Sequence, residues 1–249
     1  MAYIQFLGAA GTVTGSKHLV NTSSDRSGEV GFQVLIDCGM FQGAKQWRER
    51  NWQPLPISAR SVDAVILTHA HLDHSGWIPR LARAGFRGPI YATPSTIDLC
   101  GIILPDSGHL QEEDANFYNR HRRSRHNPAL PLYTLAEAEA SLQYFQPVPF
   151  EETKRLSPDV SFRFVRAAHI LGSSMVILTL STNGQARRLL FTGDIGRVRN
   201  DNVALGKVVR SGPSKGESAD VLVMESTYGN RTHPTEDPRP KLADTIRHT

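Results

Sequence analysis

Cysteine is scarce: Cys38 and Cys100 are the only 2 in 249 residues. Two thiols cannot build a disulfide framework, and they fit a reducing, cytoplasmic setting. No apolar run reaches the roughly 18 residues a spanning helix needs, which excludes one. The opening MAYIQFLGAAGTVTG has neither a cationic start nor a small-residue cleavage ending, which argues against a secretory leader. Neither sign of charge dominates: 28 Lys and Arg against 24 Asp and Glu leave +4, which permits a polyanionic partner without requiring one. Internal repeats and low-complexity tracts are also missing. What remains, 39% hydrophobic and 21% charged, is the composition of an ordinary globular protein able to bury roughly three quarters of its extended surface.

The first third reads as short strands, Tyr3–Leu7, His18–Asn21 and Phe32–Ile36, separated by turn-forming clusters. Ala64–Leu67 (AVIL) is apolar throughout and has the length of a buried strand. A short helix is expected over Gly76–Ala84, a strand at Ile90–Ala92, and a helical stretch from Pro94 that resumes after Pro105. Thr134 with Glu137 forms a capping-box pattern opening a helix over Leu135–Phe145. Strands return at Ser161–Ala167, Met175–Leu180 and Arg188–Thr192, the last two joined by the hairpin signal Asn183-Gly184. Val221–Met224 is a final buried-strand candidate. Ser23–Gly31 and Arg197–Glu217 read as surface loops. Strand groups flanking a helical middle suggest sheets covered by helices.

The chemically informative segment follows the AVIL strand: Thr68-His69-Ala70-His71-Leu72-Asp73-His74. Three His and one Asp fall within six residues of a chain with 10 His, too dense for scattered solvated histidines. A loop leaving a strand can aim residues two apart at one point, so His69 and His71 can share a metal. Asp73 and His74, at the start of the next helix, can face a second metal beside the first. Imidazole suits Zn²⁺, and carboxylates add the charge that holds a metal pair. His169 and Asp194 close two later strands and are further ligand candidates.

These residues resemble a known superfamily. Asp37 in LIDCG, His69–His74, His169 and Asp194 in FTGD match, in order, four successive motifs of the metallo-β-lactamase fold. The resemblance implies a four-layer αβ/βα sandwich. It assigns His69, His71 and His169 to a first zinc and Asp73 and His74 to a second, with Asp194 bridging both. Asp37 then orients the ligand loop. The bridging position is Asp194 where true β-lactamases have Cys. LGAAGTVTGSKHLV, LIDCGMFQG, ILPDSGHLQEEDA, AAHILGSS and VLVMESTYGNRTH are similar to the β-CASP nucleases, and Glu225 corresponds to the acidic residue of their first β-CASP motif.

That resemblance implies a cytoplasmic ribonuclease that hydrolyses RNA phosphodiesters with a hydroxide shared by two Zn²⁺, using Asp37, Asp73, Asp194 and Glu225 around the reacting groups. RNA, single strands above all, is the implied partner; no membrane is, and a homodimer is allowed. The expected division is a metallo-β-lactamase-like domain over residues 1–228 and the opening of a β-CASP domain over residues 229–249. The family's closing His lies further on, so the second zinc site is expected to be incomplete within 249 residues. The alternatives are another hydrolase of the same fold, a thioesterase or lactonase, or an inactive RNA-binding remnant.

Other features have plainer readings. The run Arg120-His121-Arg122-Arg123-Ser124-Arg125-His126 is either a phosphate-contacting loop or a solvated charge run. Lys207, Arg210 and Lys215 read as solvated. His109 and His18 read as structural, Cys38 as a small buried hydrophobe, and Gly8–Gly11 as a tight turn near the metal cleft rather than a phosphate cradle.

Overall fold

The structure is a computed structural model and describes residues 2–22, 31–124, 126–182, 185–196, 199–200, 209–210, 217–232 and 239–248. One sheet takes its strands in chain order: β1 (Tyr3–Phe6), β2 (His18–Asn21), β3 (Gln33–Ile36), β4 (Ala64–Ile66), β5 (Ile90–Ala92) and β6 (Phe145–Pro147). Its first two pairings are antiparallel and its last three parallel. The second sheet runs through β7 (Thr153–Ser157), β8 (Val160–Arg166), β9 (Ser174–Thr182) and β10 (Gln185–Phe191), all antiparallel neighbours. Two short strands, β11 (Arg199–Asn200) and β12 (Val209–Arg210), pair with each other. A last strand, β13 (Val221–Val223), adds to β10 in parallel.

Side-chain alternation explains how the sheets stack. Val20, Val34, Ile36 and Ile66 of the first sheet meet Phe162, Phe164, Val176, Leu178 and Phe191 of the second in one buried cluster. The rings of Phe162 and Phe164 sit 5.1 Å apart and those of Tyr91 and Phe162 5.4 Å apart. The other face of the first sheet, Leu19, Leu35, Val65 and Leu67, packs under helices. β3 is consequently buried at every position, as a strand with a covered layer on each face must be.

α1 (Lys45–Arg48) has no buried residue; the covering helices are α2 (Leu72–Ser75), α3 (Ile78–Arg83), α4 (Pro94–Arg120) and α5 (Leu135–Ser141), and α6 (Arg239–Arg247) follows the second sheet. α4 runs unbroken for 27 residues through Pro105. The carbonyl that proline leaves without a donor is that of Gly101, which is exposed and so can bond to water. Thr134 and Glu137 form the expected capping box, with the Glu137 amide 3.1 Å from Thr134 Oγ1 and the Thr134 amide 2.9 Å from Glu137 Oε2.

Two expectations need correction. The helix from Leu135 ends at Ser141, passes through a 3-10 turn and becomes β6 at Phe145, because those residues lie where they can extend the first sheet beside β5. β13 is an edge strand with Val221 and Leu222 exposed, not a buried one; among the described residues its only partner strand is β10. The architecture is the expected α/β sandwich of two sheets, with helices over the first sheet and α6, which has no buried side chain, following the second. β6 and β7 were not legible as strands. The Asn183-Gly184 turn and most of the Ser23–Gly31 and Arg197–Glu217 loops, with Lys207 and Lys215, lie outside the described residues.

The inter-sheet cluster should dominate stability. Phe162→Ala, which empties a site 1% exposed, should cost about 3–5 kcal/mol in chemical denaturation. A loss under about 1 kcal/mol, the range of tolerated surface changes, would show that the sheets are held together elsewhere.

Candidate metal centre

The strand ends of both sheets converge on one edge. The turn after β4 carries Thr68, His69 and His71; α2 carries Asp73 and His74; the turn after β8 carries His169; the turn after β10 carries Asp194. One donor atom each from His69, His71, His169 and Asp194 lies within 4.8 Å of all the others. His69 Nε2 is 3.2 Å from His71 Nδ1, which is 3.1 Å from His169 Nε2. Asp194 Oδ2 lies 3.7 Å from His69 Nε2 and 3.4 Å from His169 Nε2. Metal bonds of 2.0–2.1 Å in a tetrahedron separate the donors by about 3.3 Å. Four of the six donor separations lie near that value, and with the whole set inside 4.8 Å a small inward shift of the side chains would bring all four donors onto one cation.

A second set shares Asp194. Its other oxygen, Oδ1, is 3.1 Å from His74 Nε2, and Asp73 Oδ2 is 3.9 Å from that nitrogen. The two oxygens of one carboxylate thus face two donor sets.

Asp37 stands behind both. Its Oδ1 accepts from the Thr68 amide at 2.8 Å and its Oδ2 from the Thr68 hydroxyl at 2.9 Å. Oδ2 also lies 2.7 Å from His74 Nδ1. Because the Thr68 hydroxyl donates to Asp37, its oxygen is left to accept from His69 Nδ1, 3.0 Å away. This network assigns the proton of both imidazoles to Nδ1 and turns each Nε2 lone pair toward the donor sets. Asp37 holds a left-handed φ of 59°, one that Asp tolerates better than most side chains.

Electrostatics follow the same geometry. Burial pushes His69 well below its ordinary pKa, and burial with the neighbouring His169 lowers His71, so both rings are neutral donors. Burial also opposes charge on His74, but Asp37 and then Asp194 outweigh it and raise its pKa to about 10. Burial alone would raise the Asp194 carboxyl; the hydrogen bond and charge of His74, with His69 and His169, hold it far below the usual carboxylate range. A cation at His74 Nε2 would exchange with that proton while Nδ1–H stays on Asp37.

Backbone contacts fix the loops. A Cβ on Gly39 would lie 1.6 Å from the Asp73 carbonyl oxygen, and one on Gly196 would lie 1.7 Å from that of Ala168. The Cys38 amide donates to the His74 carbonyl at 2.7 Å, and Met40 to that of Leu72 at 2.8 Å. On the other side, Ser173 Oγ accepts from the His169 and Ile170 amides at 2.9 and 3.1 Å. Glu225 accepts the Ile195 amide, bracing the Asp194 turn rather than joining either donor set.

All six residues read as ligands converge here, with Asp37 directly behind them. Sequence reasoning missed Thr68, Ser173 and Lys17. Lys17 is buried, donates its ammonium to the Gly39 carbonyl and lies 4.8 Å from the Phe41 ring; burial pushes its pKa down to about 8. Lys17 stands next to His18 in a motif that carries the family resemblance, but nothing in its sequence neighbourhood marks a buried cation. His18 opens β2, edge-on to Phe6 at 5.2 Å, and lines the cleft with Ala9 and Ala10. His109 is exposed, 3.5 Å from Glu113. Cys38 and Cys100 are free and buried.

Two variants test this geometry. His71→Ala removes one of four converging donors and should remove most bound metal by elemental analysis; wild-type metal content would sink the assignment. Gly39→Ala should leave the protein folded but weaken metal binding about tenfold or more by displacing the Asp73–His74 backbone, an energy of roughly 1.4 kcal/mol. Gly101→Ala, where an added Cβ meets nothing within 4 Å, should match wild type. Equal metal affinity in all three proteins would mean that the close approach at Gly39 does not set the ligand positions.

Comparison with known proteins agrees with this arrangement. A family model described as the metallo-beta-lactamase superfamily matches residues 28–99. The chain is 37% identical over 226 residues to ribonuclease TTHA0252 of Thermus thermophilus, covering 91% of this chain and 44% of that protein. It is 29% identical over 226 residues to the transcription termination factor FttA of Methanocaldococcus jannaschii, covering 91% of this chain and 31% of that one. The chain thus spans less than half the length of these curated relatives. Among solved structures, a B3 metallo-β-lactamase with an active-site glutamic acid aligns with a TM-score of 0.48 at 16% identity, over 89% of this chain and 74% of that one. With its ordered His and Asp motifs gathered into one metal-binding group, the chain carries the metallo-β-lactamase superfamily match over residues 28–99 and is similar, within that superfamily, to the β-CASP nucleases.

Proposed function

We propose that this chain is the metal-binding portion of a ribonuclease that hydrolyses RNA phosphodiesters with two zinc ions. The observation that carries the reading is the division of Asp194, one oxygen toward His69 and His169 and the other toward His74. The 37% identity to a protein named a ribonuclease supports RNA as the substrate. His69, His71, His169 and Asp194 would hold the first ion, and Asp73, His74 and Asp194 the second. When bound, such ions polarise a phosphoryl oxygen and lower the pKa of a coordinated water toward neutrality.

The protein's own residues supply position and charge. Asp37 and Thr68 hold His69 and His74 in their ligating tautomers. Glu225 and Gly196 fix the turns that present Asp194 and His169. No side-chain nucleophile is required. The second donor set has three members among the described residues against four in the first, which supports a weaker second ion. α6 has no buried side chain, which supports a separate unit beginning at about residue 229. The two reduced thiols support a cytoplasmic location, and among the described residues no helix is long and apolar enough to cross a membrane.

Two measurements test the reading. In the full-length protein, Asp194→Asn keeps the shape but removes the shared charge, and should slow cleavage of labelled RNA on the order of a hundredfold or more. Near-wild-type cleavage by that variant would overturn the mechanism. In the 249-residue chain, zinc titration should show one tight and one markedly weaker site, with little RNA cleavage. Two equally tight sites, or robust chelator-sensitive cleavage by this chain alone, would show that nothing beyond it is needed.

A further inference from the structure

Away from the metal edge, an open groove runs between residues 40–52 and the distal part of α4 with residues 126–132. Its walls carry exposed aromatic rings and cations together. Trp52 and Tyr118 line it and are 48% and 46% exposed, unusual for rings of that size unless something covers them. Arg48 and His126 line it as well. The exposed Arg120, Arg122 and Arg123 stand at the end of α4, immediately beyond Tyr118. Among the described residues none of these four arginines is in an ion pair, whereas the acidic Glu49 on the same wall lies 3.5 Å from Lys45. Asp114 is the remaining acid on the lining.

Exposed rings, with the Arg80 guanidinium 6.0 Å from that of Trp52, beside unpaired guanidinium groups match the two halves of a single-stranded nucleic acid. Bases stack on the rings without regard to sequence, and phosphates pair with the arginines. A protein partner would be expected to leave fewer unpaired cations of one sign, because such charges repel one another until polyanion phosphates neutralise them.

The groove is joined to the metal centre through its floor. Met40 is part of the lining, and its amide donates to the Leu72 carbonyl at the start of the helix that bears Asp73 and His74. α4 makes a second link. Thr93 caps its first turn and its Oγ1 lies 2.7 Å from the Gly172 carbonyl, three residues past His169. The groove thus lies against the helix that carries Asp73 and His74 and along the helix whose first turn holds the His169 loop.

We propose that this groove is a holding site for single-stranded RNA outside the metal centre, with Trp52 and Tyr118 as stacking platforms and Arg48, Arg122 and Arg123 as phosphate-binding cations. The proposal rests on the ribonuclease reading and adds to it where the uncleaved part of the strand lies. Of the Arg120–His126 run, ambiguous in sequence, His126 lines the groove and the exposed Arg120, Arg122 and Arg123 follow Tyr118 closely in the chain; Arg125 itself lies outside the described residues.

The test uses the full-length protein treated with chelator and a fluorescent, unstructured RNA of about 20 nucleotides, with binding read by anisotropy across a salt series. Trp52→Ala and Tyr118→Ala should each weaken binding about tenfold without changing the salt slope, because stacking releases no counterions. Trp52→Phe should retain most of the affinity, which separates stacking from misfolding. Arg48→Gln with Arg122→Gln and Arg123→Gln should flatten the slope by about 0.7 for each phosphate that is no longer neutralised. Wild-type affinity and slope in the alanine and glutamine variants would overturn the groove as an RNA site, even if metal-loaded protein cleaves RNA normally. Failure of metal-loaded wild type to cleave RNA would instead overturn the functional reading, and this inference with it.

Discussion

The carboxylate of Asp37 is the constraint on which the metal edge depends. It is 1% exposed, where an unpaired charge would be costly, and it accepts from the Thr68 amide, the Thr68 hydroxyl and His74. Through Thr68 it also sets the proton on His69. One buried anion thereby orients a member of each donor set, and the two sets cannot rotate independently. Removing it would release two imidazoles at once and leave Thr68 and His74 without their acceptor, which makes its effect larger than that of a single missing hydrogen bond.

Rigid geometry here comes from backbone as much as from side chains. The ligand-bearing turns lie so close to neighbouring glycines that a single added carbon would overlap a carbonyl, at Gly39 against Asp73 and at Gly196 against Ala168. Such close approaches fix a turn without adding polar groups near the ligands. Ala168, immediately before His169, holds φ at 55°, and its carbonyl is the one Gly196 abuts. The cost of that conformation is borne by the sandwich beneath, whose buried aromatic cluster holds β8 and β10 in register.

Much of this was legible because ligand chemistry is local in sequence. His69, His71, Asp73 and His74 fall in six consecutive residues, and alternation in β8 shows which of its side chains face inward. What was hidden depends on partners far along the chain. Ser173 and Lys17 matter through carbonyls and amides that only the fold brings close, and a lysine in sequence gives no sign of being buried. The exposure of β13 is invisible in sequence because an apolar run reports hydrophobicity, not whether a strand has neighbours on both sides. The helix from Leu135 is shorter than its pattern suggests because propensity alone does not register the open sheet edge that recruits Phe145 into β6. The groove beside Tyr118 and His126 was hidden for the same reason, since its other wall comes from residues 40–52.

Charge accounting ties the two donor sets to one function. On the proposed reading the centre holds three carboxylates, Asp37, Asp73 and Asp194, and His74, whose pKa is raised to about 10, keeps a balancing proton until a cation takes its Nε2. With one divalent cation at the first donor set the sum is therefore +2 + 1 − 3 = 0. A second cation that displaces the His74 proton makes it +4 − 3 = +1, which attracts an anion within a partly buried site where little salt screening applies. The sharing of Asp194 is what makes the second cation feasible. One carboxylate placed between two like charges lowers their mutual repulsion while adding only a single negative charge to the total.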